Sequence, residues 1–524
     1  MPPTRSRPVR RASPPASKPL RTQTDKRTGP SLRLAGRIKS YDVWGSLSTG
    51  GMGEVWLAQH AELAVPVVLK TVYVQDAESV ADHYARLLSE ARLAARLTSS
   101  HVVRVLDVGV HERPDGNTAV PFLVEEYVDG IDLDELLRRR LEASHRPFPL
   151  WLVASYMAQA SEALHAAHQN GVVHRDVKPS NLFGHGAGQV KLGDFGVAVA
   201  SDAPVTSFAG TPLYVAPEQV ADGRVDRRAD VFSLGATAFT LRYGLAPFKT
   251  PQQLLQSGKS ARFPPARSPD EAYFQLVVRR MIERRPDDRY GTIAEPGQQF
   301  ARLVRATRPE LLSTRDGHGT FMAGTTRIQF EVGELADIET DALVSSADPS
   351  MRMRDGIADA LRRRAGDAVE EEALRSGPKA LGECLVTSAG QLRARGLIHA
   401  VSAWNEISCI SRAVHRALLL AEAHGWQRLA LPALGVDPGT VALEACIDAM
   451  VVTLRFHLST GASRLREVRF VLVDEESRRR AVDVATAVLV GPEEVDTASI
   501  ASPSQDSDAT FAPRKSSGSP EIRW

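Results

Sequence analysis

Two patterns of apolar residues follow one another in the first three hundred residues, one typical of strands and one typical of helices. The segment 118–126 is a short, mainly apolar run that ends in two acidic residues, which predicts a β-strand. Over 152–169, apolar residues recur every three or four positions, which predicts a helix with one buried side. The change from the strand-like to the helix-like pattern predicts a unit in which strands precede helices. The expected buried residues of the helix are Val153, Tyr156, Met157, Ala160 and Leu164.

After residue 326, strand-like and helix-like stretches alternate. Such alternation is typical of an α/β domain in which helices cover a sheet. Between the two units, Pro, Gly, Ser and charged residues mix over 307–325, and we predict a linker there. The expected strands are 327–332, 342–345, 396–401, 428–431 and 468–473, and the expected helices are 356–365, 411–424 and 441–456.

The composition indicates folded domains and no general attraction to nucleic acid. Hydrophobic residues make up 43% and charged residues 24%, as in globular proteins. The 64 Lys and Arg residues against 63 Asp and Glu residues leave a net charge of +1, so no chain-wide field favours nucleic acid or an anionic membrane. Cys384, Cys409 and Cys446 form no CxxC pair, which argues against a disulfide framework or structural zinc and favours a reducing compartment.

The two ends of the chain differ in composition from the middle. Residues 1–38 are rich in Pro and Arg, and residues 492–524 are rich in Ser, so we predict two disordered tails. For the basic tail, we favour a solvated segment over an arm for nucleic acid, lipid or a partner. No signal peptide or membrane-spanning apolar run is visible, which favours a cytoplasmic protein. The predicted domains are 39–306 and 326–491.

One short loop carries the residue types that phosphoryl transfer requires. The reaction needs a carboxylate to orient and deprotonate the attacking hydroxyl, a cation near the moving phosphoryl group and an oxygen ligand for magnesium. Asp176, Lys178 and Asn181 supply these three groups. Asp194 follows in an Asp-Phe-Gly tripeptide, and we expect its carboxylate to hold the Mg²⁺ that bridges the β- and γ-phosphates.

A glycine-rich segment upstream suits the phosphates of a nucleotide. Residues 48–55 read Ser-Thr-Gly-Gly-Met-Gly-Glu-Val, and missing side chains let backbone N–H groups approach phosphate oxygens. Lys70 ends a predicted strand at 65–70 and is expected to reach the α- and β-phosphates. Glu90, on a predicted helix at 87–95, is expected to orient Lys70.

These motifs, with a later Ala-Pro-Glu at 216–218, follow the order found in protein kinases. Residues 41 to about 305 resemble the catalytic domain of bacterial eukaryotic-like serine/threonine protein kinases. The resemblance implies an α+β fold with a small β-rich lobe and a large helical lobe. It also implies ATP and Mg²⁺ as cofactors, with Mn²⁺ as a substitute, and proteins as substrates. Lys178 marks serine/threonine rather than tyrosine specificity.

The resemblance implies roles for individual residues. The strand at 122–130 becomes the hinge that binds adenine through the backbone of Glu126 and Val128. Asp230 and Arg289, the expected partner of Glu218, take structural roles. The residues expected to act in the transfer are Asp176, Lys178, Lys70 and Glu90. The residues expected to bind ATP and its metal are Ser48, Gly50, Gly51, Gly53, Val55, Val68, Lys70, Glu126, Val128, Asn181 and Asp194, with Asn181 and Asp194 as metal ligands.

Two substitutions depart from the family pattern. Ser48 replaces the first glycine of the loop, and Glu125 occupies the usually apolar position behind adenine. A buried carboxylate needs a partner, and Glu125 could draw Lys70 away from Glu90. The alternative to an active kinase is therefore a catalytically weak scaffold whose second domain binds an ADP-ribose-type ligand or a protein.

A phosphorylation switch is a further expectation. Arg175 precedes Asp176 and could pair with a phosphate on Thr206 or Ser207, added by autophosphorylation. The other interpretation is an ordinary polar loop that is never modified.

The second unit is similar to a macro domain, the α/β module that binds ADP-ribose, over 326–491. The resemblance rests on the segments 341–348, 382–390, 397–401 and 430–435 and their order. It implies a divergent ligand site at Glu334, Asp348, Gly356 and Gly435.

The divergence concerns the groups that would face a diphosphate. Asp348 and Asp437 place negative charge near an anion, and Pro438 removes a backbone donor. We therefore favour a protein partner or an altered ligand over ADP-ribose itself. His399, on an apolar strand, is expected to be a core histidine rather than a catalyst.

Overall fold

The computed structural model describes most of the chain between residues 36 and 490. The predicted basic tail is too long by three residues, because Gly36–Ile38 forms the first strand. The rest of both predicted tails lies outside the described residues. The described residues are 36–50, 53–72, 77–112, 119–186, 188–195, 199–200, 213–220, 225–248, 261–309, 311, 313–316, 319–404, 407–436, 441–461 and 463–490.

An antiparallel six-stranded sheet with the order β1-β2-β3-β4-β6-β5 forms the small lobe, together with helix α1. Alternation along the strands buries Trp56, Leu69 and Val124 on one face. Lys70 lies on the other face, because it neighbours Leu69 on β4. The strands are β1 (Gly36–Ile38), β2 (Tyr41–Gly50), β3 (Gly53–His60), β4 (Pro66–Val72), β5 (Val105–Glu112) and β6 (Ala119–Glu126), and α1 is Ala77–Ala94.

The large lobe is mainly helical, and its core surrounds α3. The predicted buried face of this helix is confirmed, because the five residues named for it are fully buried. Its helices are α2 (Leu133–Ser144), α3 (Leu150–Gln169), α4 (Pro217–Val220), α5 (Arg228–Tyr243), α6 (Pro269–Met281) and α7 (Ala294–Thr307). Its short strands are β7 (Gly130–Asp132), β8 (Val172–Val173), β9 (Leu182–His185), β10 (Gln189–Leu192) and β11 (Val199–Ala200).

The second domain is an eight-stranded sheet with the order β12-β13-β14-β21-β20-β15-β17-β16, whose five central strands from β14 to β17 are parallel. Helices cover both faces, as predicted from the alternating pattern. The strands are β12 (Ser313–Arg315), β13 (Phe321–Ala323), β14 (Thr326–Val332), β15 (Ala342–Ser346), β16 (Cys384–Thr387), β17 (Gly396–Ala400), β20 (Arg428–Pro432) and β21 (Glu467–Leu472), with a separate hairpin of β18 (Ala403–Trp404) and β19 (Ile407–Ser408). The helices are α8 (Gly356–Ala365), α9 (Ala368–Arg375), α10 (Ile410–Ala423), α11 (Leu443–Ser459) and α12 (Glu475–Leu489).

The segment 307–325, predicted as a linker, instead belongs largely to the second domain. Its two strands, β12 and β13, extend the sheet beyond β14 by antiparallel pairing. Phe321 is fully buried in the core beneath them. Three-residue strands are too short to show a period of two, which explains why the sequence pattern missed them. None of the helices in the described parts of the chain is long and apolar enough to cross a membrane.

Candidate functional site

The loop after β8 brings the three predicted transfer residues together. The Lys178 ammonium lies 2.7 Å from Asp176 Oδ2. The Asn181 amide donates to the same oxygen at 3.2 Å and to the Asp176 carbonyl at 2.8 Å. Asp176 itself is almost buried, with 9% of its surface exposed. One carboxylate is thus held in a fixed orientation beside a cation, as the phosphoryl-transfer prediction requires.

Asp230 anchors the backbone of this loop, as predicted. The carboxylate is fully buried on α5 and accepts the backbone N–H groups of His174 at 2.9 Å and Arg175 at 2.8 Å. The His168 ring lies 2.7 Å from the same carboxylate. Burial alone would raise the pKa of Asp230, but the hydrogen bond and charge of His168 hold it below the usual value.

The predicted partnership of Arg289 and Glu218 is also confirmed. The buried guanidinium donates to both oxygens of Glu218, at 2.7 and 2.8 Å. It also donates to the backbone carbonyls of Glu283, Arg228 and Arg284. A bidentate pair with its remaining donors satisfied ties the segment that ends in Glu218 to the helical core.

Lys70 lies between two carboxylates on the inner face of the small-lobe sheet. Its ammonium is 2.7 Å from Asp194 Oδ1 and 2.7 Å from Glu125 Oε2. Strand register explains the second contact, since Lys70 on β4 pairs with Leu123 on β6 and Glu125 lies two residues along on the same face. Glu90 lies in α1, and its side chain is outside the described residues.

The charges in this cluster shift one another's pKa values. Burial would lower the pKa of Lys70, but Glu125 and Asp194 raise it above the ordinary value. The Lys70 charge lowers the pKa of Asp194, which favours the ionised form. Burial raises the pKa of Glu125, against the opposing effect of Lys70. The substitution at position 125 therefore adds a second acid to the lysine site.

Asn181 and Asp194, the predicted metal ligands, are joined through the backbone. The N–H of Gly193 donates to the Asn181 carbonyl at 2.9 Å. The Asp194 side chain is about half exposed, at 48%, and Asp194 adopts a positive φ of 61°. An amide oxygen and an exposed carboxylate are the hard oxygen donors that Mg²⁺ prefers, so the residues fit this ion.

His174 contributes a link that the sequence reasoning did not assign. Its Nε2 lies 3.0 Å from the carbonyl oxygen of Gly193, and its ring centre is 4.6 Å from that of Phe195. These contacts connect the Asp176 loop to the Asp194 segment. The sequence feature that could have indicated this role is the position of His174, two residues before Asp176.

The small-lobe residues predicted to bind the nucleotide lie around Lys70. Gly50 pairs with Gly53 at the end of the β2–β3 hairpin, and Ser48 pairs with Val55. Val55 lies opposite Lys70 in the sheet. Val68 is two residues before Lys70 on β4 and therefore shares its face. Gly51 lies outside the described residues.

The hinge follows β6. Glu126 is its last strand residue, and its carboxylate contacts Lys191 at 2.6 Å and the Arg104 N–H at 3.0 Å. Burial would raise the pKa of Glu126, but these partners hold it below the usual value. The Val128 carbonyl accepts the N–H of Gly130 at 2.8 Å. Side-chain contacts thus fix the Glu126 end of the short segment predicted to meet adenine, and a backbone hydrogen bond fixes the Val128 end.

The predicted phosphorylation switch is described only in part. Thr206 and Ser207 lie outside the described residues. Arg175 is buried, has a positive φ of 66° and is anchored to Asp230 through its N–H. Its carbonyl accepts the Gln219 amide at 3.0 Å. The switch stays a prediction.

In the second domain, three of the four predicted ligand-site residues follow parallel strands. Glu334 comes after β14, Asp348 after β15 and Gly435 after β20, so they lie at one edge of the sheet. Gly356 begins α8 with a φ of 51°. Asp348 accepts the Ser350 N–H at 2.5 Å, which engages its carboxylate in a local turn. The loop at 437–440 is outside the described residues.

His399 is buried in this sheet, as expected of a core residue. Its Nε2 lies 2.8 Å from the Thr387 hydroxyl. Burial lowers the pKa of His399 to about 4, although Glu372 opposes the shift. Its other ring nitrogen, Nδ1, is buried without a hydrogen-bond partner in the described residues.

Comparison with known proteins agrees with this geometry. Residues 41–299 match the family model of the protein kinase domain, and residues 344–450 match that of the macro domain. The chain therefore carries a protein kinase domain followed by a macro domain. Both predicted resemblances are confirmed.

The individual relatives are bacterial. Serine/threonine-protein kinase PknB of Mycobacterium tuberculosis is 32% identical over 314 residues, which cover 58% of this chain and 48% of the relative. Serine/threonine-protein kinase PknA of the same species is 35% identical over 290 residues, covering 53% and 62%. The PknI kinase domain of this organism, a crystal structure, is 30% identical with a TM-score of 0.40 and covers 52% of this chain and 99% of that one. The chain thus spans about half the length of PknB.

Proposed function

We propose that the chain is an active serine/threonine protein kinase that transfers the γ-phosphoryl group of MgATP to Ser and Thr hydroxyls of proteins. The observation that carries the proposal is the fixed group of Asp176, Lys178 and Asn181. The names of the relatives support the specificity. Absence of a spanning helix in the described residues is consistent with the cytoplasmic location that we propose.

Each residue has a defined task in this proposal. Asp176 accepts the hydroxyl proton and orients the attacking oxygen. Lys178, held against it, balances negative charge on the moving phosphoryl group, and Lys70 does so at the α- and β-phosphates. Asn181 and Asp194 would hold Mg²⁺, or Mn²⁺ in its place, and the ion would supply positive charge against the phosphates.

Regulation completes the proposal. Autophosphorylation at Thr206 or Ser207 orders the segment before Glu218 through Arg175. The macro domain selects the target or senses a ligand, and the negative charge of Asp348 at its ligand edge favours a protein or an altered ligand over ADP-ribose.

Phosphate incorporation tests the proposal. Purified full-length chain is incubated with MgATP and a generic basic protein, and wild type is compared with Asp176→Asn, with sites mapped by mass spectrometry. We expect incorporation into Ser and Thr that disappears in the variant. ATP binding without incorporation in wild type would contradict the proposal and favour the scaffold alternative.

A further inference from the structure

The macro domain contacts the kinase domain at the hinge and on both sides of it. At the hinge, the Asp129 carboxylate accepts two N–H groups from the first turn of α10, from Ser411 at 3.1 Å and from Arg412 at 3.2 Å. A carboxylate at a helix N-terminus satisfies donors that the helix itself leaves open. Asp129 directly follows Val128, which is predicted to bind adenine.

A second contact fixes the same helix to the large lobe. Arg416, two turns along α10 from its start, donates to Glu135 on α2 at 2.6 and 2.7 Å. Only 4% of the Arg416 side chain and 17% of the Glu135 side chain are exposed. Arg140, also on α2, donates to the side chain and carbonyl of Thr460 at 2.8 and 3.1 Å. A largely buried bidentate pair with further bonds is directional, so it defines how the domains meet.

A third contact is apolar and lies on the small lobe. Leu57 on β3 is buried in one cluster with Met351 and Leu381 of the macro domain. Leu47, next to Ser48 in the predicted phosphate loop, and the hinge residue Tyr127 pack against this cluster. Met351 lies three residues after Asp348. The loop that follows β15 therefore touches the strands that would cover the nucleotide.

We propose that the macro domain is a brace that sets the opening between the two kinase lobes, with Asp129, Arg412, Arg416 and Glu135 as positioning residues for ATP. The inference rests on nucleotide binding by the kinase domain, as proposed above. One folded body that holds the small lobe, the hinge and the large lobe restricts their relative motion. Restricting the free protein to its binding geometry lowers the ordering cost of binding.

Direct nucleotide titration of the full chain tests the brace. The variants are Asp129→Ala, which removes both bonds to α10, and Arg416→Met, which keeps much of the stem but removes the charge. We expect each to raise the Kd for a fluorescent ATP analogue roughly 3- to 10-fold, as moderate coupling allows. We expect kcat at saturating ATP to change little.

Three controls separate positioning from general damage. Asp129→Asn keeps one of the two acceptor oxygens for α10, and it is expected to restore only part of the affinity. Arg480→Met breaks the exposed pair with Glu444 on the macro domain, away from the three contacts, and is expected to leave Kd unchanged. The double variant Asp129→Ala with Arg416→Met is expected to lose less than the product of the single effects, because both act through one helix.

The outcomes divide clearly. The proposal is overturned if both single variants fold like wild type by circular dichroism and their Kd is unchanged or lower. A lower Kd would in addition identify the macro domain as an inhibitor of nucleotide binding. A variant that fails to fold is replaced by Arg416→Lys, which keeps the charge but loses the bidentate geometry, with the same expected direction. The Kd is measured without turnover. A chain that binds ATP but transfers no phosphate would therefore contradict the proposed kinase activity and leave the brace proposal testable.

Discussion

Glu125 Oε2 lies 2.7 Å from the ammonium of Lys70, at the back of the predicted nucleotide site. Asp194 lies at the same distance from that ammonium. Glu125 would hold Lys70 even where the Asp194 carboxylate serves as a metal ligand. A carboxylate in this position has an orienting role that the protein kinase pattern gives to Glu90.

Glu125→Gln removes the charge but keeps the shape of the side chain. We expect kcat/KM for ATP to fall about tenfold, because a small displacement of a charge near the reacting phosphate is costly. Steady-state kinetics with varied ATP measure it. Glu112→Gln, at the exposed end of β5 in the same sheet, serves as the matched control. An activity equal to wild type would contradict the orienting role, and a higher activity would show that Glu125 competes with ATP for Lys70.

Asp230→Ala leaves the buried N–H groups of His174 and Arg175 without an acceptor. We expect unfolding of the kinase domain to become easier by about 2–4 kcal/mol and activity to be lost. Urea unfolding of the full chain, followed by tryptophan fluorescence, measures the change. Asp287→Ala removes an exposed ion pair with Arg228 and should cost less than about 0.5 kcal/mol. Equal effects of the two substitutions would disprove the anchoring role.

Arg289→Lys preserves the charge but cannot reproduce the five hydrogen bonds of the guanidinium. We expect a loss of about 3 kcal/mol and low phosphate incorporation, since the bidentate geometry with Glu218 disappears. Arg285→Lys, in an exposed pair with Asp288, is the control. A fully active Arg289→Lys chain would show that charge alone suffices.

The burial of His399 leads us to expect that the macro domain becomes less stable as the pH falls. The unfolded chain protonates this ring below about pH 6.5, whereas the folded domain does so only near pH 4. The unfolded state therefore binds more protons in this window, and stability falls as pH decreases, by up to about 1.4 kcal/mol per pH unit. Thermal unfolding between pH 7 and pH 4 should show a shallower dependence in His399→Gln. The same slope in wild type, His399→Gln and the exposed-site variant His424→Gln would exclude His399 as the cause.

Local patterns predicted much of the fold. Helix α8 begins and ends where the apolar spacing placed it, and the central strands of the second sheet agree within one or two residues. These elements are long enough to show their period. Strands β12 and β13 are not, and their pairing with β14 depends on tertiary contacts.

The site was predictable because its residues cluster in short motifs. Asp176, Lys178 and Asn181 lie on one loop, so their meeting follows from the sequence. The contact between Arg416 and Glu135 joins residues 281 positions apart, and neither lies in a motif. Pairings of this kind are set by how two finished domains pack, and a single sequence holds no local signal for them.

The position of β21 has a consequence for synthesis. This strand, Glu467–Leu472, is the last one in the part of the chain that the structure describes, yet it lies in the middle of the macro sheet between β14 and β20. On the ribosome, the kinase domain emerges complete while the macro sheet still lacks the strand that joins its two halves. During synthesis, each chain therefore has a complete kinase domain before the brace can form.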